Sequence, residues 1–143
     1  MLTGISPILT GDLLAALDAM GHSDSVVVAD AHFPSARLAS RLVLLPGLGT
    51  PQVLRALRTV IPLDDSPALD LMASADGQVL PVQDELVEAA GCGTDGARYL
   101  DRHDFYDVAA TAFLVVRTGE TRTYGNAVLR KGVVTSTADG SGA

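Results

Sequence analysis

Four titratable side chains, His22, Asp24, Asp30 and His32, fall within the run Met20-Gly21-His22-Ser23-Asp24-Ser25-Val26-Val27-Val28-Ala29-Asp30-Ala31-His32-Phe33-Pro34. An imidazole working with a carboxylate can give and take protons near neutral pH, so general acid/base chemistry is the first thing this stretch offers. Each residue also has a purely structural reading. His22 follows a helix end, where it would meet the negative end of the helix dipole. Asp30 suits a loop carboxylate bonded to backbone amides, and His32 stands before Phe33-Pro34, where the chain turns. What favours chemistry is the combination: on this reading His22 and Asp30 flank one helix-strand connection and converge on a single cleft, and neither is needed by a core.

The elements that must position these groups follow from the neighbouring pattern. Thr10 caps a helix over Gly11 to Met20, whose apolar positions 13, 14, 17 and 20 lie at helical spacing, with Gly21 as its left-handed cap. Val26-Val27-Val28 is continuously apolar and β-branched, as in a strand covered on both faces, and Asp30 closes it at the carboxyl end, where open α/β sheets bind ligands.

Two further stretches hold candidates. In Arg98-Tyr99-Leu100-Asp101-Arg102-His103-Asp104-Phe105-Tyr106 a short strand runs into a helix capped by Asp101, which puts Arg102 in the first turn. A cation there opposes the helix dipole, so it has either another purpose or an ion-pair partner in Asp101 or Asp104. In the stretch from Ala112 to Val133 a buried strand meets a turn and a second strand follows. Asp64-Asp65 reads as a solvated turn, because no cysteine or histidine accompanies it at ligand spacing, and no metal site is expected. Cys92, between two glycines and without a cationic neighbour, is a poor nucleophile.

The remaining elements complete an α/β pattern. A helical turn at Ser35 to Ser40 precedes a strand at Leu42 to Leu45. A helix then starts at Thr50-Pro51, with the threonine as cap, presents Leu54, Leu57, Val60 and Ile61 on one face, and is stopped by Pro62. Ala68 to Ala73 is a strand, Asp76-Gly77 a turn, and Pro81 to Ala90 a helix with Leu86 inward and Asp84, Glu85 and Glu88 outward.

The 143 residues, 48% of them hydrophobic, suit one domain with a full-sized core. A formal charge of −7 and a pI near 4.6, without any Lys/Arg cluster, argue against nucleic-acid and anionic-membrane partners. Cys92 is the only cysteine, no apolar run is long enough to span a bilayer, and the start of the chain lacks signal-peptide character, so a cytoplasmic protein is expected. The apolar surplus suggests subunit contacts. Residues 1–134 form the expected domain, with 135–143, rich in Gly, Ser, Thr and Ala, as a loose tail.

Met-Gly-His-x-Asp (20–24), Asp-Ala-His-Phe-Pro (30–34), Arg-x-x-Phe-Tyr (102–106), Thr-Gly-Glu (118–120) and Tyr-Gly-Asn-x-x-Leu-x-Lys-Gly-Val (124–133), in this order, resemble the fucose mutarotase and ribose pyranase family of monosaccharide anomer-converting proteins. The resemblance runs from Ile5 to about Val133 and is closest to the fucose branch. The ribose branch has histidine where Arg102 stands and lacks the Asp-Ala-His-Phe-Pro form. Leu44 to Gly49 and Gly91 to Ala97 depart from the pattern. The resemblance implies a three-layer α/β/α domain with a mostly parallel, mixed sheet, assembled into homo-oligomeric rings, commonly decamers. It implies His22 as general acid/base and Asp30, Arg102, Tyr124 and Asn126 as sugar contacts, with His32 and Tyr106 as further candidates and no cofactor.

That chemistry suits the residues. To exchange anomers a pyranose loses the proton of its anomeric hydroxyl while its ring oxygen gains one; the ring opens, the C1–C2 bond rotates and the ring recloses. An imidazole suits the shuttle, and Asp30, Arg102 and Asn126 can hold the hydroxyls that stay put. A ribose pyranase, or a non-catalytic sugar-binding or transport-associated protein with the same pocket, is the competing expectation; His22, a group that binding alone does not require, discriminates against the latter.

Overall fold

The computed structural model describes residues 1–65 and 67–135. Its centre is a six-stranded mixed sheet in the order β2-β5-β1-β6-β3-β4, formed by β1 (Ser25–Ala29), β2 (Leu42–Leu45), β3 (Leu69–Met72), β4 (Ala97–Leu100), β5 (Leu114–Thr118) and β6 (Ala127–Arg130). Five strands run parallel. β6 alone is antiparallel to its neighbours β1 and β3, so its amino end lies beside their carboxyl ends.

Helices cover both faces. α1 (Gly11–Ala19), α3 (Thr50–Arg58) and α4 (Pro81–Ala90) pack one side around Leu13, Leu17, Val26, Val28, Leu54 and Leu86. The short α2 (Ser35–Leu38) and α5 (Arg102–Ala110) pack the other around Val27, Phe33, Phe105, Val115 and Val128. β1 is buried along its whole length, as its valine run predicts. Each fully buried valine contributes about 1.5–3 kcal/mol relative to exposure, so this strand is a rigid base for what is attached to its ends. The three-layer α/β/α expectation therefore holds.

Local differences from the sequence reading have physical causes. Gly21 is not a left-handed cap: α1 ends on Met20 in an extended conformation. Its last carbonyls are taken instead by Lys131 at the end of β6, whose Nζ donates to the oxygens of Leu17 (2.7 Å) and Met20 (2.8 Å). Thr50 is not the cap of α3 but its first residue; Gly49 caps, and the Thr50 N–H donates to Oε1 of Glu120 from the loop after β5. Val60 and Ile61 lie beyond that helix. Thr10 and Asp101 do cap α1 and α5 with their side chains. The expected tail, 135–143, lies outside the described residues from Ser136 onward.

Candidate active site

Parallel strands deliver their carboxyl ends to one edge of the sheet, and β6 delivers its amino end to the same edge. Asp30 follows β1, Met72 ends β3, Arg102 opens the helix after β4, and Tyr124 and Asn126 precede β6. These residues, with His32, Phe33, Tyr106 and Thr123, line an open cleft of about 300 Å³.

Its floor is a buried polar pair. Asp30 and Asn126 are each 3% exposed. The Asp30 N–H donates to Asn126 Oδ1 (2.7 Å), and Asn126 Nδ2 donates back to Asp30 Oδ2 (3.0 Å), while Asp30 Oδ1 accepts from the His32 N–H (2.9 Å). This closed ring fixes both side chains. A carboxylate has about four acceptor sites and an amide nitrogen two hydrogens, so the pair retains acceptors on Asp30 and a donor on Asn126. An acceptor beside a donor is what a polyol needs.

The walls combine apolar and polar groups. Phe33 meets the rings of Phe105 (5.8 Å) and Tyr106 (5.5 Å) edge-on and holds Tyr106 at the rim. Met72 is buried below. Among the described residues Arg102 has no hydrogen-bond or ion-pair partner, so Asp101 and Asp104 do not absorb it, and it lines the cleft with its five donors uncommitted there. Tyr124 has φ +62°, a left-handed conformation that costs a non-glycine residue about 1–2 kcal/mol, and it turns the chain so that Asn126 enters β6 facing Asp30.

The loop carrying Tyr124 is held by groups that periodicity does not reveal. Gly119 passes so close to Pro46 that a Cβ there would stand 1.9 Å from the Pro46 oxygen. The Glu120 carbonyl accepts from the Ala31 N–H (2.8 Å), tying this loop to the Asp30 turn. Its carboxylate, 6% exposed, takes Nε and Nη2 of Arg122 (both 3.0 Å), and Arg122 also bonds Glu85 of α4. Hydrogen bonds from Arg122 hold the Glu120 carboxyl below its usual range, and Glu120 and then Glu85 push the guanidinium of Arg122 up. Thr-Gly-Glu thus serves as the brace of the cleft. Phe33, Met72 and Thr123 are lining residues that sequence reasoning missed as such; a strand end or loop position at the carboxyl edge was the available signal.

His22 is elsewhere. It precedes β1, and the five-residue strand separating it from Asp30 is about 17 Å long at ~3.3 Å per residue, so the two do not meet in one cleft of one chain. The helix-strand connection places them at opposite edges of the sheet, contrary to the expected convergence. His22 is 60% exposed and its Nε2 lies 3.1 Å from Asp64 Oδ1. The sequence reading of Asp64-Asp65 as a plain solvated turn missed this contact. His32 does line the cleft. Among the described residues no group of three or more His, Cys, Asp or Glu is arranged to hold a metal ion, and no helix is long and apolar enough to cross a membrane.

Both the sequence and the fold are similar to those of known proteins. The model of the RbsD / FucU transport protein family matches residues 3–134. A human fucose mutarotase is 40% identical over 146 residues, which is 93% of this chain and 94% of the human protein. The crystal structure of the fucose mutarotase from Streptococcus pneumoniae in complex with L-fucose superposes with a TM-score of 0.85 at 38% identity, covering 94% of this chain and all of that one. Bacillus subtilis RbsD complexed with D-ribose shares the fold, with a TM-score of 0.76 at 23% identity over 94% of this chain and all of its own.

Proposed function

From the chain's membership of the RbsD/FucU family, to which it belongs, we propose that it is a mutarotase, an isomerase that interconverts the α and β anomers of a pyranose, with L-fucose as its substrate. The observation that carries this reading is the buried Asp30–Asn126 pair at the base of an open cleft that is also lined by Arg102, which has no partner among the described residues. A sugar hydroxyl can donate to Asp30 while accepting from Asn126, and Arg102 and the tyrosine hydroxyls hold hydroxyls nearer the rim. Phe33 and Met72 supply the apolar contact that the C–H faces of a pyranose and the methyl group of a 6-deoxy sugar require.

Opening the ring takes a proton from the anomeric hydroxyl and gives one to the ring oxygen; reclosure after rotation about C1–C2 reverses both transfers. An imidazole does this without a covalent intermediate, and its contribution is on the order of 10² to 10⁴ in rate. We assign the shuttle to His22. Since His22 stands at the opposite edge of its own sheet, it serves the cleft of a neighbouring protomer in a homo-oligomer, in the ring arrangement, decameric in the family, that the motif resemblance implies. Exposed apolar residues on both edge strands, Leu42 and Leu44 on β2 and Tyr99 on β4, support such an assembly. Residues 1–134 carry the activity, and an enzyme of free-sugar metabolism with one unpaired cysteine is at home in the cytoplasm.

A second reading has one observation in its favour: His32 lines the cleft of its own chain. Saturation-transfer NMR on equilibrated sugars decides both questions. We expect accelerated exchange for L-fucose ahead of galactose-like sugars, abolished by His22→Ala in an intact oligomer. Acceleration of ribose exchange alone would reject the substrate. Loss of exchange in His32→Ala with retention in His22→Ala would transfer the shuttle to His32.

A further inference from the structure

The turn that carries His22 is built around Asp64, a residue from a distant part of the chain. Asp64 Oδ1 is 3.1 Å from His22 Nε2, and Oδ2 accepts from the Ser23 hydroxyl at 2.7 Å. Ser23 has φ +70°, and it and Tyr124 are the two non-glycine residues with positive φ among the described residues. That conformation lets adjacent side chains, His22 and Ser23, grip the two oxygens of one carboxylate.

Asp64 is in turn fixed by its backbone. Its N–H donates to the Arg130 carbonyl (3.0 Å), Leu63 bridges to Lys131, and the Gly132 N–H donates to the Pro62 oxygen (2.9 Å). A Cβ on Gly132 would stand 2.1 Å from the Leu63 oxygen, so only glycine lets the end of β6 approach this closely. Lys131 adds its Nζ to the carbonyls that end α1, directly before the His22 turn. The Lys-Gly-Val segment therefore clamps both sides of the histidine and has no contact with the cleft. The neighbouring carboxylate of Asp24 is engaged, its Oδ2 accepting from the Gly21 N–H (2.7 Å), and Asp65 adds its backbone N–H to Asp64 Oδ1 (2.8 Å).

We infer that Asp64 is a positioning residue for His22, holding the imidazole with Nε2–H donated to the carboxylate so that Nδ1 is the atom that exchanges protons with the sugar. This rests on the reading of His22 as the shuttle. An ionised carboxylate only accepts, so the neutral ring bonded to it carries its proton on Nε2 and leaves the Nδ1 lone pair free. When Nδ1 takes a proton from the anomeric hydroxyl, the same carboxylate stands against the imidazolium. Hydrogen bonds from Ser23, from the Asp65 N–H and from His22 hold the Asp64 carboxyl below its ordinary value, which keeps it ionised at neutral pH.

The test pairs kinetics with ¹⁵N-histidine NMR of the full oligomer, whose three histidines are assigned with His22→Ala, His32→Ala and His103→Ala. Asp64→Asn keeps the shape but offers either an acceptor or a donor and so admits both ring tautomers. We expect its kcat for L-fucose exchange to fall on the order of 10-fold with KM unchanged, and the His22 nitrogens to shift from the Nε2–H signature toward averaged values. Asp64→Glu should restore part of kcat. Ser23→Gly, which removes the hydroxyl but suits the positive φ, should give a smaller loss, about threefold, again in kcat. An unchanged kcat and unchanged His22 nitrogens in Asp64→Asn would overturn the inference, as would a loss confined to KM. If His22→Ala itself keeps exchange, the shuttle reading falls; if His22→Ala is inactive and Asp64→Asn is not, Asp64 alone loses its role.

Discussion

If His22 serves a neighbour's cleft, two inactive chains should repair each other. Consider His22→Ala and Asp30→Asn. The first keeps an intact cleft and supplies no imidazole; the second supplies the imidazole and spoils its cleft, because an amide in place of the carboxylate sets an N–H donor against either Asn126 Nδ2 or the His32 N–H. Within one chain the separation is set by β1, about 17 Å of rigid buried strand, which no side-chain movement spans. When the two chains are co-expressed equally and mix at random in a ring, a site works if its cleft comes from His22→Ala and its imidazole from Asp30→Asn. Each condition holds for about half of the protomers, so about one quarter of wild-type exchange should return, from parents that each have almost none. The assay is saturation-transfer NMR of L-fucose on mixed oligomers purified through two different tags, with the assembly mass checked for each sample. Recovery no greater than the mean of the parents, at unchanged mass, would refute the split site; substantial exchange in His22→Ala alone would refute the shuttle.

Other outcomes follow from the same contacts. Arg102→Ala should weaken L-fucose binding about 10- to 100-fold, the worth of one or two hydrogen bonds from a charged donor, and leave thermal stability unchanged because Arg102 has no partner among the described residues; titration calorimetry and a melting curve read both. Asn126→Ala should cost binding and also about 2–4 kcal/mol of stability, since it strips the Asp30 N–H and carboxylate of buried partners, measurable by denaturant unfolding. Glu120 is held below its ordinary value of 4.5, so its contribution to stability is present above that pH and is lost as pH falls through the lower, folded value; Glu120→Gln should be less stable at pH 7 and should flatten the acid limb of a stability-versus-pH curve.

Much of the scaffold was legible because it rests on local patterns. The valine run of β1, the caps Thr10 and Asp101, and the helix from Pro81 to Ala90 are each specified by residues within a turn or a strand of one another. The cleft was legible in part for a related reason: Asp30 and Arg102 stand next to the carboxyl ends of parallel strands, which gather at one edge, whereas Asn126, before the antiparallel β6, came from the motif resemblance alone. What escaped depends on contacts between distant segments. The amide of Gln83 is buried to bond the Met72 oxygen, Glu120 reaches back to the amino end of α3, and Asp64 meets His22 across 42 positions. No periodicity encodes such pairs. The opposite placement of His22 and Asp30 also follows from simple geometry: a strand separates what its sequence seems to bring together.

The most direct measurement is the rate of α/β exchange of L-fucose at neutral pH with and without the wild-type protein, read by saturation transfer between the two anomeric protons, together with ligand-observed binding in the same sample. The proposed function predicts transfer that grows in proportion to protein concentration. Binding of L-fucose with exchange no faster than in buffer would contradict it and leave a sugar-binding protein.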